Sequence, residues 1–183
     1  MNETFVAFLR GINVGGHHKV PMAELRQEVE KLEVQRVATL LNSGNVLFDA
    51  TATDIDALET TLSEHLSRAF GFPIPTLIQK ADRINDLLAS EPFQDITLTQ
   101  DIRLYVSFLG KGVAHDLRFP WVSEDGSYRM ISQSDRTILS VLDLSVAKTP
   151  KAMEALERHV GNNITTRNWN TILRIGKKLQ ASR

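Results

Sequence analysis

A chain of 183 residues with 42% hydrophobic and 23% charged residues has enough apolar material for a real core and an ordinary globular balance. Its formal net charge of −1 gives no bulk attraction to nucleic acid or anionic lipid, so such an interaction would need a local basic patch. It contains no cysteine, which excludes disulfides, thiolate nucleophiles and cysteine-based zinc or iron–sulfur sites and suits a reducing, cytoplasmic setting.

Thr4–Leu9 is an apolar run that Arg10 stops, too short for a signal h-region or a membrane span, and it reads as a central strand buried on both faces. A long loop follows, Gly11-Ile12-Asn13-Val14-Gly15-Gly16-His17-His18-Lys19, and Pro21 then opens a helix with Met22, Leu25, Val29 and Leu32 on one face. Val37–Leu41 and Val46–Phe48 flank Asn42-Ser43-Gly44-Asn45, a cluster of turn formers, and so predict a β-hairpin. Thr53 is placed to cap a helix with Ile55, Leu58, Leu62, Leu66 and Phe70 on one stripe and Gly71 as its stop. Phe72–Ile78 has strand character, but Pro73 and Pro75 cannot donate to a ladder and assign it to a sheet edge.

These elements spell a βαββαβ unit of the ferredoxin-like kind, with strand order four, one, three, two. Its expected core comprises Val6, Phe8, Leu25, Val46, Leu58, Leu62 and Leu66. Ala81–Ser90 reads as a short helix, and polar Gln94–Asp101 as a connector, with the boundary between halves near residue 95. The second half, residues 96–183, is read as a less regular α+β unit. It has a strand at Ile102–Leu109 followed by Gly110-Lys111-Gly112, which echoes Phe5–Gly11 and hints at a diverged repeat. Tyr128–Ser132 and Thr137–Leu144 form a second hairpin, and Thr149-Pro150 begins a helix that runs to Gly161. A final helix opens at Thr165-Thr166-Arg167-Asn168, with Trp169, Ile172, Leu173, Gly176 and Leu179 on its apolar face.

Three ordered segments carry a family resemblance: Arg10–Gly16 (RGINVGG, then Lys19-Val20-Pro21-Met22), Ser43–Val46 (SGNV) and Thr165–Thr171 (TTRNWNT). Together they resemble the uncharacterised bacterial family called domain of unknown function 1697. The resemblance implies an α+β fold with two ferredoxin-like halves. It implies no activity, ligand or catalytic residue.

The glycine-rich loop fits neither G-x-G-x-x-G nor a Gly-Lys-Ser/Thr phosphate loop. Its glycines either supply positive φ to a long β–α connection or present backbone N–H groups to an anion, helped by Arg10, Asn13 and Lys19. Antiparallel pairing of strands one and three would bring Ser43 and Asn45 to the same sheet end as Arg10, Gly11, Asn13, Gly15 and Gly16. Ser43 and Asn45 read equally as plain turn residues. Thr166, Arg167 and Asn168, at the start of the last helix, form a candidate second wall of a pocket, or Arg167 pairs with an acid.

His17-His18 and the isolated His65, His115 and His159 have no metal-ligand spacing, so no metal site is expected, and no cofactor motif is present. No catalytic triad or nucleophile elbow is recognisable, which leaves any reaction unassigned. The sequence therefore points to a small anionic, phosphate- or carboxylate-bearing ligand. The alternatives are an RNA-binding sheet carrying Phe5, Phe8 and Phe48, for which the aromatic motif is missing, and a protein-interaction or homodimer role.

Overall fold

The computed structural model describes residues 1–51 and 54–182, and the chain divides into two units. One unit holds Met1–Leu87 together with the residues from Ile175 onward, and the other holds Leu88–Arg174.

In the first unit, β1 (Glu3–Leu9), α1 (Met22–Glu30), β2 (Gln35–Leu40), β3 (Asn45–Ala50), α2 (Ile55–Phe70) and β4 (Thr76–Lys80) follow in order, and then α3 begins (Ala81–Ala89). The strands form one antiparallel sheet in the order β2-β3-β1-β4. This is the expected ferredoxin-like topology, with β1 inside and β4 at the edge. Pro73 and Pro75 lie just before β4, so they shape its entry and leave the ladder intact.

The strand β1 is buried on both faces, as its unbroken apolar run requires. Its parity differs from the expected core. Phe5, Ala7 and Leu9 join Leu25, Val46, Phe48, Leu62 and Leu66 in the main cluster, against which Leu58 packs partly buried. Val6 and Phe8 are fully buried but lie on the opposite face, because successive side chains of a strand alternate. Phe5 stacks on its cross-strand partner Phe48 at 5.9 Å between ring centroids.

Thr53, the expected cap of α2, lies outside the described residues, and Asp54 fills the role. Its carboxylate accepts from the backbone N–H of Asp56 and Ala57. Gly71 ends α2 in the left-handed conformation that the sequence assigns to it.

The second unit comprises β5 (Ile102–Leu109), β6 (Trp121–Val122), β7 (Tyr128–Ser134), β8 (Thr137–Asp143), α4 (Thr149–Val160), β9 (Ile164–Asn168) and the start of α5 (Trp169–Ala181). Its sheet runs β6-β7-β8-β5-β9. Without β6, a two-residue strand that stands where the first unit has α1, the order repeats that of the first unit.

The repetition extends to single hydrogen bonds. Leu9 N–H donates to Gly44 O at 2.9 Å and Arg10 N–H to Pro75 O at 2.9 Å. Correspondingly, Leu109 N–H donates to Arg136 O at 2.8 Å and Gly110 N–H to Asn163 O at 2.7 Å. The registers match too: Phe8 faces Asn45 and Leu9 faces Thr76, just as Phe108 faces Thr137 and Leu109 faces Ile164. The echo between the two opening strands thus marks equivalent positions in two like sheets.

Two glycines test how this frame is held. Gly44 and Gly71 both have left-handed φ, +86° and +81°, but a Cβ at Gly44 would lie 2.6 Å from Ile12 Cδ1 and 2.9 Å from Leu9 Cβ, whereas one at Gly71 meets nothing within 4 Å. We expect Gly71→Ala to cost about 1–2 kcal/mol of unfolding free energy from the backbone alone. Gly44→Ala should cost about 2–5 kcal/mol, since overpacking adds to the same penalty. Urea unfolding of the two variants measures the difference, and equal losses would show that the turn yields to the added methyl group.

Candidate functional site

The glycine-rich loop is a miniature hairpin. His17 N–H donates to Val14 O at 3.1 Å and Asn13 N–H to His18 O at 3.0 Å, leaving Gly15 and Gly16 as the two central turn residues. Their φ values, +59° and +78°, are both positive, as a type I′ turn requires. The flanking Asn13 and His18 are also left-handed, with φ of 55° and 50°.

Side chains brace the base of this hairpin. The Asn13 amide donates to Val20 O at 3.0 Å and Asn42 O at 2.8 Å, and its oxygen accepts from Val20 N–H at 2.8 Å. The His18 ring stacks on Phe72 at 4.3 Å and sets Nδ1 3.2 Å from Gly11 O. Ile12 is buried beneath, while Gly11, Val14 through Gly16, and Lys19 are exposed. A methyl group at Gly11, Gly15 or Gly16 would meet nothing within 4 Å, so these glycines answer to backbone conformation and not to crowding.

The segments expected to meet at this sheet end do meet. Strand pairing sets Phe8 opposite Asn45, and the backbone bonds of Leu9 and Arg10 tie the end of β1 to Gly44 and Pro75. Asn45 is fully buried as the first residue of β3, and its amide donates to Leu40 O at 2.8 Å and Ser43 Oγ at 3.1 Å. Asn13 and Asn45 are therefore committed to the chain itself. The glycine backbone, His17, Ser43 and Lys19 face solvent here with Arg10 half-buried, and Lys19 pairs with no acid among the described residues.

Thr165, Thr166, Arg167 and Asn168 are not the opening turn of a helix. They belong to β9, which pairs with β5, and α5 starts only at Trp169. The β-branched run Ile164-Thr165-Thr166 favours a strand, and the sheet supplies a partner for it. Thr166 Oγ1 lies 2.8 Å from Ser107 Oγ across the strands. Arg167 is buried and donates from Nη1 to Thr165 Oγ1 at 2.9 Å and Thr166 O at 3.1 Å. Burial pushes its pKa down to about 10, which still leaves it charged at neutral pH. The Asn168 Oδ1 accepts from Asn170 N–H at 2.9 Å and caps α5. On α5 itself Leu173 is exposed, and Ile175 takes its place in the buried stripe with Ile172 and Leu179.

Three cavities among the described residues, one in the first unit and two in the second, lie away from the glycine-rich loop and Ser43–Val46, none of whose residues line them. One of about 440 Å³ lies on the sheet face opposite α1 and α2, where Arg36 pairs with Asp49 and Glu3 with Lys80. Arg36 occupies a bulge in β2 with φ of 51°, a feature that no sequence period announces. A second, of about 560 Å³, is walled by Trp121 and His159, whose rings lie 4.9 Å apart. The third, of about 770 Å³, is lined by Phe93, Arg103, Asn168 and Trp169 among others, so that one expected site residue, Asn168, borders a real cavity.

The bracing of the hairpin predicts a graded mutational response. Asn13→Ala removes three hydrogen bonds and keeps the left-handed φ, and we expect it to cost about 2–4 kcal/mol. Asn13→Asp keeps the acceptor for Val20 N–H and loses both donors, so it should fall between parent and Ala. Chemical unfolding, with exchange of the Val20 amide proton as a local reporter, checks this order.

Comparison with known proteins adds fold and family. No curated protein matches the chain. Among the described residues no helix is long and apolar enough to cross a membrane. A conserved bacterial protein, SP0830, from Streptococcus pneumoniae shares the fold with a TM-score of 0.65 and 24% sequence identity, over 98% of this chain and 99% of that one. The family model described as "Protein of unknown function (DUF1697)" matches residues 1–122, which contain the RGINVGG and SGNV segments at the sheet end described above. The chain belongs to that family.

Proposed function

We propose that the protein binds a small anionic ligand, bearing phosphate or carboxylate, at the sheet end of its first unit beside the glycine-rich hairpin. The observation that carries this reading is the pre-formed state of that hairpin. Asn13 and His18 hold Gly15 and Gly16 on a fixed exposed turn, with Lys19 next to it and Arg10 at its base. A turn already fixed loses little further freedom on binding. Exposed backbone N–H groups and ammonium or guanidinium groups are the donors that anions take.

Thr166, Arg167 and Asn168 enter this reading less directly, since all three use side-chain atoms within the second unit: Thr166 on Ser107 of β5, Arg167 on Thr165 and Asn168 on the start of α5. The RNA alternative loses its stacking surface, because Phe5, Phe8 and Phe48 are at most 1% exposed. We read the chain as cytoplasmic, a placement supported by the absence of cysteine.

A thermal-shift screen against nucleotides, sugar phosphates and small carboxylates tests the proposal. A ligand at about 100 times its dissociation constant adds about 2.7 kcal/mol of apparent stability, which raises Tm by a few degrees. We expect such a shift in the parent, and its loss in Lys19→Ala and Arg10→Ala. A ligand that stabilises both variants as well as the parent would place binding elsewhere.

A further inference from the structure

The 770 Å³ cavity of the second unit has an apolar floor. Phe93 and Trp169 meet edge to face with centroids 5.2 Å apart, and Leu88 and Leu104 are among the aliphatic residues beside them. A cavity of this size that sets an apolar floor beside polar side chains has the usual form of a small-molecule site.

Gln94, Thr99, Gln100 and Asn170 border the cavity as well, but the groups that bear on an anion are the donors of Arg103, Asn168 and Trp169. Arg103 is half-buried and uses one nitrogen, Nη1, to donate to Gln100 O at 2.7 Å and Ile102 O at 3.1 Å. Those bonds hold the guanidinium in place, yet among the described residues Nε and Nη2 have no partner and Arg103 pairs with no acid. The Nε–Nη2 edge is one of the two edges on which a guanidinium takes both oxygens of a carboxylate. Asn168 commits its oxygen to Asn170 N–H, and among the described residues its NH₂ group and the indole N–H of Trp169 have no acceptor. Glu91 also borders the cavity but is exposed and forms no ion pair among the described residues.

We propose that this cavity binds a small amphipathic carboxylate. The apolar body of the ligand lies against Phe93, Trp169, Leu88 and Leu104, and its carboxylate accepts from Arg103 and Asn168. The cavity asks for both parts: the floor alone would accept any apolar molecule, and the donors alone any small anion.

Isothermal titration of the full chain with two matched pairs, octanoate against octanol and phenylbutyrate against phenylbutanol, tests this. We expect at least one acid to bind saturably with a dissociation constant below about 1 mM, and its alcohol to bind roughly tenfold or more weakly. Arg103→Gln should reduce the acid to the affinity of the alcohol and leave the alcohol unchanged. Lys19→Ala, which alters the hairpin site, should leave acid binding as it is, so the two proposals fail separately. Equal affinity of acid and alcohol, an Arg103→Gln variant that binds acid like the parent, or no saturable heat with either pair would overturn the inference. Should Arg103→Gln fail to fold, as judged by circular dichroism, the acid-to-alcohol ratio of the parent still decides the question.

Discussion

A strand buried on both faces has no water to satisfy its backbone, so every N–H and C=O must find a partner in its neighbours. That requirement falls on β1 and β5, and the rest of each unit is arranged around it. Each is flanked on both sides by antiparallel strands in the same register. Each ends with two closing bonds, one to the residue just before β3 or β8 and one to the residue just before β4 or β9. Gly44 is small and left-handed because that closing bond needs its carbonyl within reach of Leu9, in a space that Ile12 already fills.

The same accounting explains why polar residues near the glycine-rich loop serve the chain itself. A loop that leaves a buried strand and returns to a helix carries peptide groups that neither ladder nor helix can pair, and Asn13 supplies both donor and acceptor for them. The Asn45 amide likewise donates to the Leu40 carbonyl and to the Ser43 hydroxyl. Arg167 carries a heavier version of the cost. Its guanidinium is desolvated enough to lower its pKa, and nearby oxygens of Thr165 and Thr166 offset part of that loss.

Much of this was legible in the sequence because it rests on local rules. The two prolines before β4 marked an edge, the apolar run of β1 marked a centre, and the Asn42–Asn45 cluster marked the hairpin that brings two glycine-containing segments together. What the sequence misplaces depends on information that is not local. The parity of β1 toward the helices cannot be read from a strand that is apolar on both faces, so the expected core holds Val6 and Phe8 on the wrong side. Thr165–Asn168 has the polar spelling of a helix start and forms a strand because β5 offers it an unpaired edge. The cavity beside Trp169 draws on residues from Leu88 to Leu173, a span over which no periodicity reports.

Two sheets with one register in one chain present a hazard during folding, since β3 could pair with β5, and β8 with β1. The side chains at the matching position discourage it. Phe5 faces Phe48, whereas Tyr105 faces Ser140. An exchange would press Phe48 against the already large Tyr105 and leave Phe5 facing a serine hydroxyl and a void. Both outcomes are penalised, one as overpacking and the other as a cavity. The divergence between the halves thus acts as a lock and key that keeps each hairpin with its own central strand.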